Sequence, residues 1–359
     1  MVLPFLLLLQ GTAPPAAIHT ARHYEITLVP ADTGTHLLGE VQTSWTLRST
    51  DPVATLLDST MRVVRVLVDG RPNTRISRTM YGRSGLDVVV PHQKPPGDSI
   101  STRIRYHGFA TGDAWLGDGP NGRAFVAGGW EGASHWLPIP PGPPQRVTTV
   151  FHVQAPLEAR AIANGALIKV DTLPYGHATW TYQLDSAAPI PALAAATGRW
   201  EVISLSPRVE VWNIPRDSSA LARPFRRAVA MAERVIGVLG PMPYPKLVHV
   251  VTPGVPAPIA GGGLALYPEA GVAALDEAAV MRATARQWLD GADSTVAGEI
   301  ADWLAADWTT GAPPAAGRLA GLRKRLGDAA FGRGLQAFVR AQREGRGTAE
   351  DFAAAMRAR

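Results

Sequence analysis

Hydrophobic and polar residues alternate with a period of two over the first half of the chain. In His23-Tyr24-Glu25-Ile26-Thr27-Leu28, Tyr24, Ile26 and Leu28 share one face, and Glu25 and Thr27 the other. Val41, Thr43, Trp45 and Leu47 share a face of the next segment, with Gln42, Ser44 and Thr46 opposite. Successive side chains on a strand point to opposite faces, so this pattern predicts half-buried strands. Further short runs occur at Leu56–Asp58, Val63–Gly70, Leu86–Pro91, Ile100–Tyr106, Val147–Val153 and Trp180–Leu184. Asp69-Gly70 and Asn164-Gly165 are hairpin-type turn signals. Short strands broken by Gly and Pro predict an antiparallel β-sandwich over residues 21–205.

The period changes near Pro207. After a strand at Val209–Trp212, Leu221, Phe225, Val229, Ala232, Ile236 and Leu239 recur at helical spacing. They predict a helix over 218–239, ended by Gly240. Lys246–Val251 reads as a strand, and Ile259–Leu266, with Gly261-Gly262-Gly263 inside it, as an edge strand. Asp276 can cap a helix over 277–290. Helices over 296–308, 315–326 and 329–343 follow, and Thr348 with Asp351 forms a capping box for a last one. The expectation is an α+β chain of two domains. The sandwich comes first, then a mostly helical domain with a small sheet over 206–359.

Composition narrows the function classes. Apolar residues make up 46% of 359, enough for sizeable cores, and 36 Gly with 31 Pro make the chain rich in loops. The formal charge of +5 is spread thinly. Its densest stretch, Arg318 to Arg346, reads as the outward faces of amphipathic helices, so no nucleic-acid partner is expected. The absence of cysteine excludes disulfides, thiolate metal sites and cysteine nucleophiles. Met1-Val2-Leu3-Pro4-Phe5 and the leucines after it form an apolar run too short to span a bilayer. Small residues follow, as in a secretory signal, although no Lys or Arg precedes the run. A signal peptide is expected within 1–20, cleaved near Ala13 to Ala17. That gives a periplasmic or secreted product with no transmembrane span in the mature chain.

Several stretches carry motifs in a recognisable order. Trp136-Leu137-Pro138 fits a W-F/L-P passage, and Asn164-Gly165 fits S-N-G. Pro243-Tyr244-Pro245-Lys246-Leu247 fits Y-P-Y-P-K-L/D, and Gln287-Trp288 fits the end of H-E-x-x-H-Q-W. In this order they resemble the zinc aminopeptidase family of membrane alanyl aminopeptidase and leukotriene hydrolase, the gluzincin metallopeptidases. The resemblance implies a β-sandwich followed by a thermolysin-like peptidase domain that holds zinc. The likeness is truncated, ending before the family's large C-terminal helical domain.

Carried over residue by residue, the resemblance finds a degenerate site. Arg282 and Arg286 fall on the two metal-binding His positions and Ala283 on the general base. Ala306, in Trp303-Leu304-Ala305-Ala306-Asp307-Trp308, falls on the third ligand. A guanidinium stays protonated and has no lone pair for a metal, and Ala cannot accept a proton. Gly261-Gly262-Gly263-Leu264-Ala265 stands where the family's loop offers a Glu to the substrate amine, and no Tyr follows Tyr267. All nine His lie at or before His249. No catalytic residue, metal ligand or cofactor is therefore expected, and the reading is an inactive, peptidase-like shell. Arg282 or Arg286, partly buried, is expected to pair with Glu299 or Asp302. Gly261, Gly262, Gly263 and Trp288, with Trp130 and Trp136, are expected to line a cleft for a peptide or protein ligand, held by strand addition.

Two other readings stay open. One is an active metallopeptidase or other hydrolase using atypical residues, such as Ser134-His135 beside Glu131. Neighbours on a strand face opposite ways, which weakens that grouping. The other is a structural or carbohydrate-binding sandwich, which leaves the motifs of the helical half without a role.

Overall fold

The computed structural model describes residues 19–73, 77–81, 85–119, 121–129, 132–213 and 223–357. Most of the expected export signal, Trp130, Glu131 and the first part of the helix expected from residue 218 lie outside them. The alternating segments form strands. Thr20–Pro30 pairs antiparallel with His36–Thr46, which pairs in turn with Ser99–Phe109. They belong to an eight-stranded sheet running from Ala166–Leu173 at one edge to Arg71–Pro72 at the other. A four-stranded and a three-stranded sheet complete the first half.

The large sheet is not wholly antiparallel. On its other side Thr20–Pro30 runs parallel to Arg146–Pro156, with His23 beside Thr148 and Leu28 beside Val153. Both strands carry the same period-two pattern, which is blind to direction, so the register follows from burying Ile26 and Phe151 on one face. That inner face, with Tyr24, Ile26, Val41, Trp45, Ile104 and Phe151, shares one core with the two smaller sheets through Val53, Val88, Phe125 and Ala195. Two of the large buried aromatics have their polar tips satisfied. Trp45 Nε1 donates to Thr102 Oγ1 at 2.8 Å, and Tyr24 Oη donates to the Pro138 carbonyl at 3.0 Å.

The boundary expected after residue 205 falls inside a strand. Glu201–Ser206 turns back onto Val209–Asn213, and the hairpin begins the five-stranded sheet of the second half. Leu247–Thr252, Leu264–Pro268 and the edge strand Ile259–Gly261 complete it. The single edge strand expected over 259–266 is thus a hairpin, closed by Gly262 and Gly263, both with positive φ.

Among the described residues six helices accompany this sheet, the first two against its strands and the others against those helices and one another: α1 (Ala228–Leu239), α2 (Glu277–Arg286), α3 (Ser294–Thr310), α4 (Arg318–Leu326), α5 (Asp328–Arg343) and α6 (Ala349–Arg357). A second core, with Met231, Tyr267, Met281, Trp288, Ile300, Leu304 and Phe338, joins them. Asp276 caps α2, accepting from the Ala279 N–H at 2.8 Å. Thr348 and Asp351 exchange hydrogen bonds at 3.0 and 3.2 Å as a capping box for α6. Helix α2 stops four residues short of the expected end. Gln287, Trp288 and Leu289 each bond three residues back instead of four, which tightens the chain into the turn before α3.

Candidate functional site

Helices α2 and α3 present the positions on which the motif reading rests. Val280, Met281, Thr284 and Ala285 fill the inner side of α2, and Ala283 is also buried. The spacing of four puts Arg282 and Arg286 on a common face, which is exposed. The partial burial expected for this pair is not found, because the apolar positions around it take the core side of the helix.

Arg282 does meet α3. Its Nε lies 2.6 Å from Asp302 Oδ1, with both side chains about half exposed or more. Arg286 has no ion pair among the described residues. A Cβ placed on Gly298 of α3 would come within 3.6 Å of Arg286 Nη2, so this guanidinium lies over a bare part of that helix. Glu299, the other expected partner, is bonded to Arg318 with Nη2 to Oε2 at 2.5 Å. Asp307 points away to α1, where its buried carboxylate accepts from Arg234 Nε at 2.8 Å. Ala306 is half-buried. A cavity of about 360 Å³ opens beside this face, lined by Glu299, Asp302, Trp303, Pro314, Arg318 and Leu319.

The Arg282–Asp302 pair sets a small expected effect. Exposed pairs contribute about 0.2–1 kcal/mol. Arg282→Ala should therefore shift the urea midpoint only slightly. A loss above about 2 kcal/mol would mean that this pair acts as more than a surface contact.

These residues do not fit a zinc ion. Arg282 and Arg286 have no acceptor atom, and Ala283 and Ala306 offer neither ligand nor base. Among the described residues no three His, Asp or Glu side chains gather as a metal-holding group.

The glycine-rich turn and Trp288 are buried. Trp288 donates from Nε1 to the Gly240 carbonyl at 2.8 Å and is fully enclosed, and Gly261, Gly262 and Gly263 are also in the interior. The space is taken from both halves of the chain. A Cβ on Gly262 would come within 2.5 Å of Asn164 Nδ2, and one on Gly263 within 2.6 Å of the Lys246 carbonyl. Asn164, fully buried, donates to the carbonyls of Gly261 and Gly262 at 3.2 and 3.1 Å. Its own Oδ1 accepts from the Ala194 N–H at 2.6 Å. Gln287, at the end of α2, accepts from the Gly263 N–H at 2.9 Å and donates to the Leu264 carbonyl at 3.1 Å.

Asp290 closes the same junction. Its carboxylate accepts from the Gly262 N–H at 3.2 Å, from Arg146 Nη1 at 3.2 Å and from the Tyr244 hydroxyl. Burial, reinforced by the Asp290 charge, holds the Tyr244 phenol well above its ordinary pKa, so it stays a donor. Motif reading missed Asp290 and Arg146, and the long reach of Asn164. Asn164-Gly165 was visible as a turn, but nothing local marks the Asn side chain as reaching nearly 100 residues ahead.

Ser134 and His135 show no hydrogen bond to each other among the described residues, and Glu131 lies outside them. His135 sits between the buried carboxylates of Asp58 and Asp113, 3.5 Å from each, in a turn and not on a strand. Trp136 is fully buried, with its Nε1 bonded to the Gly128 carbonyl at 2.8 Å.

No protein-family model matches the sequence, and no curated protein matches it. Solved structures do. A zinc metallopeptidase of the M1 family from Deinococcus radiodurans superposes with a TM-score of 0.73 at 19% identity, over 96% of this chain and 90% of that one. A mutant of that enzyme, bound to a Tyr-Ser-Ala substrate, gives 0.69 at 21% identity, over 94% and 93%. Native yeast LTA4 hydrolase gives 0.69 at 11% identity, over 82% of this chain and 49% of that one. The chain therefore has a two-part fold like that of these peptidases, sheet-rich first and helical after. The resemblance read from the motifs is shown at the level of the fold.

Proposed function

We propose that this chain is a peptidase-like protein without the zinc chemistry of the structures it resembles, and that it works as a peptide- or protein-binding shell. We read its halves as the β-sandwich and thermolysin-like domain of that family, exported to the periplasm or the exterior. One observation carries the proposal. On α2 and α3, the positions of the two His, the base and the third ligand hold Arg282, Arg286, Ala283 and Ala306, and the arginines face solvent with one tied to Asp302.

Peptide binding finds support in the edge of the five-stranded sheet. Ile259–Gly261 is one of its two outer strands and is half-exposed at Ile259 and Ala260, after exposed Pro256, Ala257 and Pro258. A peptide would add there by backbone hydrogen bonds. Trp288 and the buried Gly262 and Gly263 behind it would hold the strand in place without touching the ligand.

Purified protein should carry less than about a tenth of an equivalent of zinc, and a chelator should leave its melting temperature within about 1 °C. It should not hydrolyse aminoacyl arylamides, while a labelled Tyr-Ser-Ala peptide should bind. Stoichiometric zinc with chelator-sensitive turnover would reverse the reading and make the chain an active metallopeptidase using atypical residues. Absence of both turnover and peptide binding would remove the peptide shell.

A further inference from the structure

The two edges of the eight-stranded sheet are built differently. Arg71–Pro72 is two residues long, and its proline has no N–H to offer. Short edge strands and proline are common ways to keep an edge from pairing with another chain. The opposite edge, Ala166–Leu173, is eight residues long and has no proline. Among the described residues it pairs only with His177–Pro189, and every residue from Leu167 to Thr172 is exposed.

Apolar surface gathers at this edge. Seven large hydrophobic residues are exposed among the described residues, and five of them lie here: Leu157, Leu167, Ile168, Val170 and Tyr175. Leu157 is tied to the hairpin tip by its N–H to the Gly176 carbonyl at 2.9 Å. Tyr175 is 98% exposed and sits at φ +63°, a left-handed backbone that costs a residue with a Cβ roughly 1–2 kcal/mol. A strained backbone thus presents an aromatic ring to solvent beside an open strand.

The charges on the strand select a partner. Lys169 and Asp171 flank Val170, and in the free strand they pair with each other at 2.8 Å. If a second, antiparallel copy pairs about Val170, each Lys169 lies opposite the copy's Asp171. Val170 then meets Val170, Ile168 meets Thr172, and Leu167 meets Leu173. Moving the centre to Lys169 or to Asp171 sets that charge against itself, and like charges directly opposite are destabilising. A bulge between Leu167 and Lys169 leaves the stretch from Lys169 onward regular, and this is the stretch that carries the charges. We propose that the chain forms a two-fold dimer by edge-to-edge pairing of Ala166–Leu173 with the same strand of a second copy, centred on Val170. The strand's backbone groups and apolar side chains are covered, and the large sheet continues across the axis. This surface lies on the first half of the chain and does not depend on the reading of α2 and α3.

Sedimentation velocity and a charge-reversal cycle test the proposal on the full chain. Wild type should reach dimer at micromolar concentration. Lys169→Asp or Asp171→Lys alone should weaken the dimer about tenfold or more, because symmetry makes each reversal act twice. The double reversal should restore it. All three variants change exposed side chains, so melting curves should match wild type. The chain has no cysteine, so Val170→Cys introduces a single thiol. A short bismaleimide should link it to a covalent dimer, while Val64→Cys, on a different strand and more exposed at 60% against 44%, should stay unlinked. A wild-type chain that is monomeric at about 100 μM overturns the proposal. So does a dimer that ignores both single reversals, or one that Val170→Cys does not link.

Discussion

Asp290→Ala should lower the free energy of unfolding by about 3–5 kcal/mol, the usual cost of removing one partner from a buried ion pair. The Asp290 side chain is 2% exposed and Arg146 13%, so little water is at hand to replace the lost carboxylate. Arg146 would keep its bond to the Ala187 carbonyl at 2.7 Å but lose its counter-ion. The Gly262 N–H and the Tyr244 hydroxyl would lose the same acceptor, and a buried donor without a partner costs about 1–3 kcal/mol. Asp290→Asn should cost less, because an amide oxygen can still accept from Gly262. Arg146 belongs to the large sheet of the first half, and Gly262, Tyr244 and Asp290 to the second. The variant should therefore unfold in two separated steps in denaturant where wild type unfolds in one. A urea curve for Asp290→Ala within 1 kcal/mol of wild type, with a single transition, would show that the halves are held by something else.

Acid should destabilise the chain through His249, and His249→Gln should remove that part of the loss. His249 is fully buried among Phe225 and Tyr267, with Nδ1 2.8 Å from the Tyr267 hydroxyl and Nε2 without a partner among the described residues. Burial pulls its pKa from 6.5 down to about 3. Between these values the unfolded chain binds a proton that the native chain does not. Stability therefore falls as pH falls, by about 1.4 kcal/mol per pH unit within that window. From pH 6.5 to 4.5 the loss from this one residue is roughly 2 kcal/mol, since the slope reaches its full value only below the unfolded pKa. Carboxylates add their own acid dependence, but equally to wild type and variant. The readout is the difference between the two unfolding free energies at pH 7 and pH 4.5. Parallel curves would rule out His249 as the source.

Much of this fold was legible because burial and period agree. Tyr24, Ile26 and Leu28 alternate in the sequence and are all fully buried. Asp276 and Thr348 announced the helix starts they cap. Direction and distance were not legible. Nothing in His23–Leu28 says that its second neighbour runs parallel. Nothing near Gly261 says that an Asn from the first half fills the space beside it, so a buried junction reads as a flexible, ligand-facing turn. The site was legible only as chemistry. That Arg282 and Arg286 cannot bind zinc follows from their residue type. That they face water depends on Met281 and Ala285 claiming the interior, a competition settled by the neighbouring helix. Gln287-Trp288 was read as the tail of a motif. It proves to be a structural clasp that can persist without catalysis, since its partners are backbone groups of Gly263, Leu264 and Gly240.

The parallel pairing of the first strand governs the order in which the chain can assemble. His23 and Thr148 are 125 residues apart, and Thr20–Pro30 lies in the interior of the sheet, with a neighbour on each side. As the chain leaves the ribosome, the hairpin with His36–Thr46 can close at once, since that loop is short. The other side of the first strand stays open until Arg146–Pro156 has emerged, and closing so long a loop adds entropy that local contacts do not offset. For that interval the nascent chain has an unfinished sheet, and its largest core cannot close.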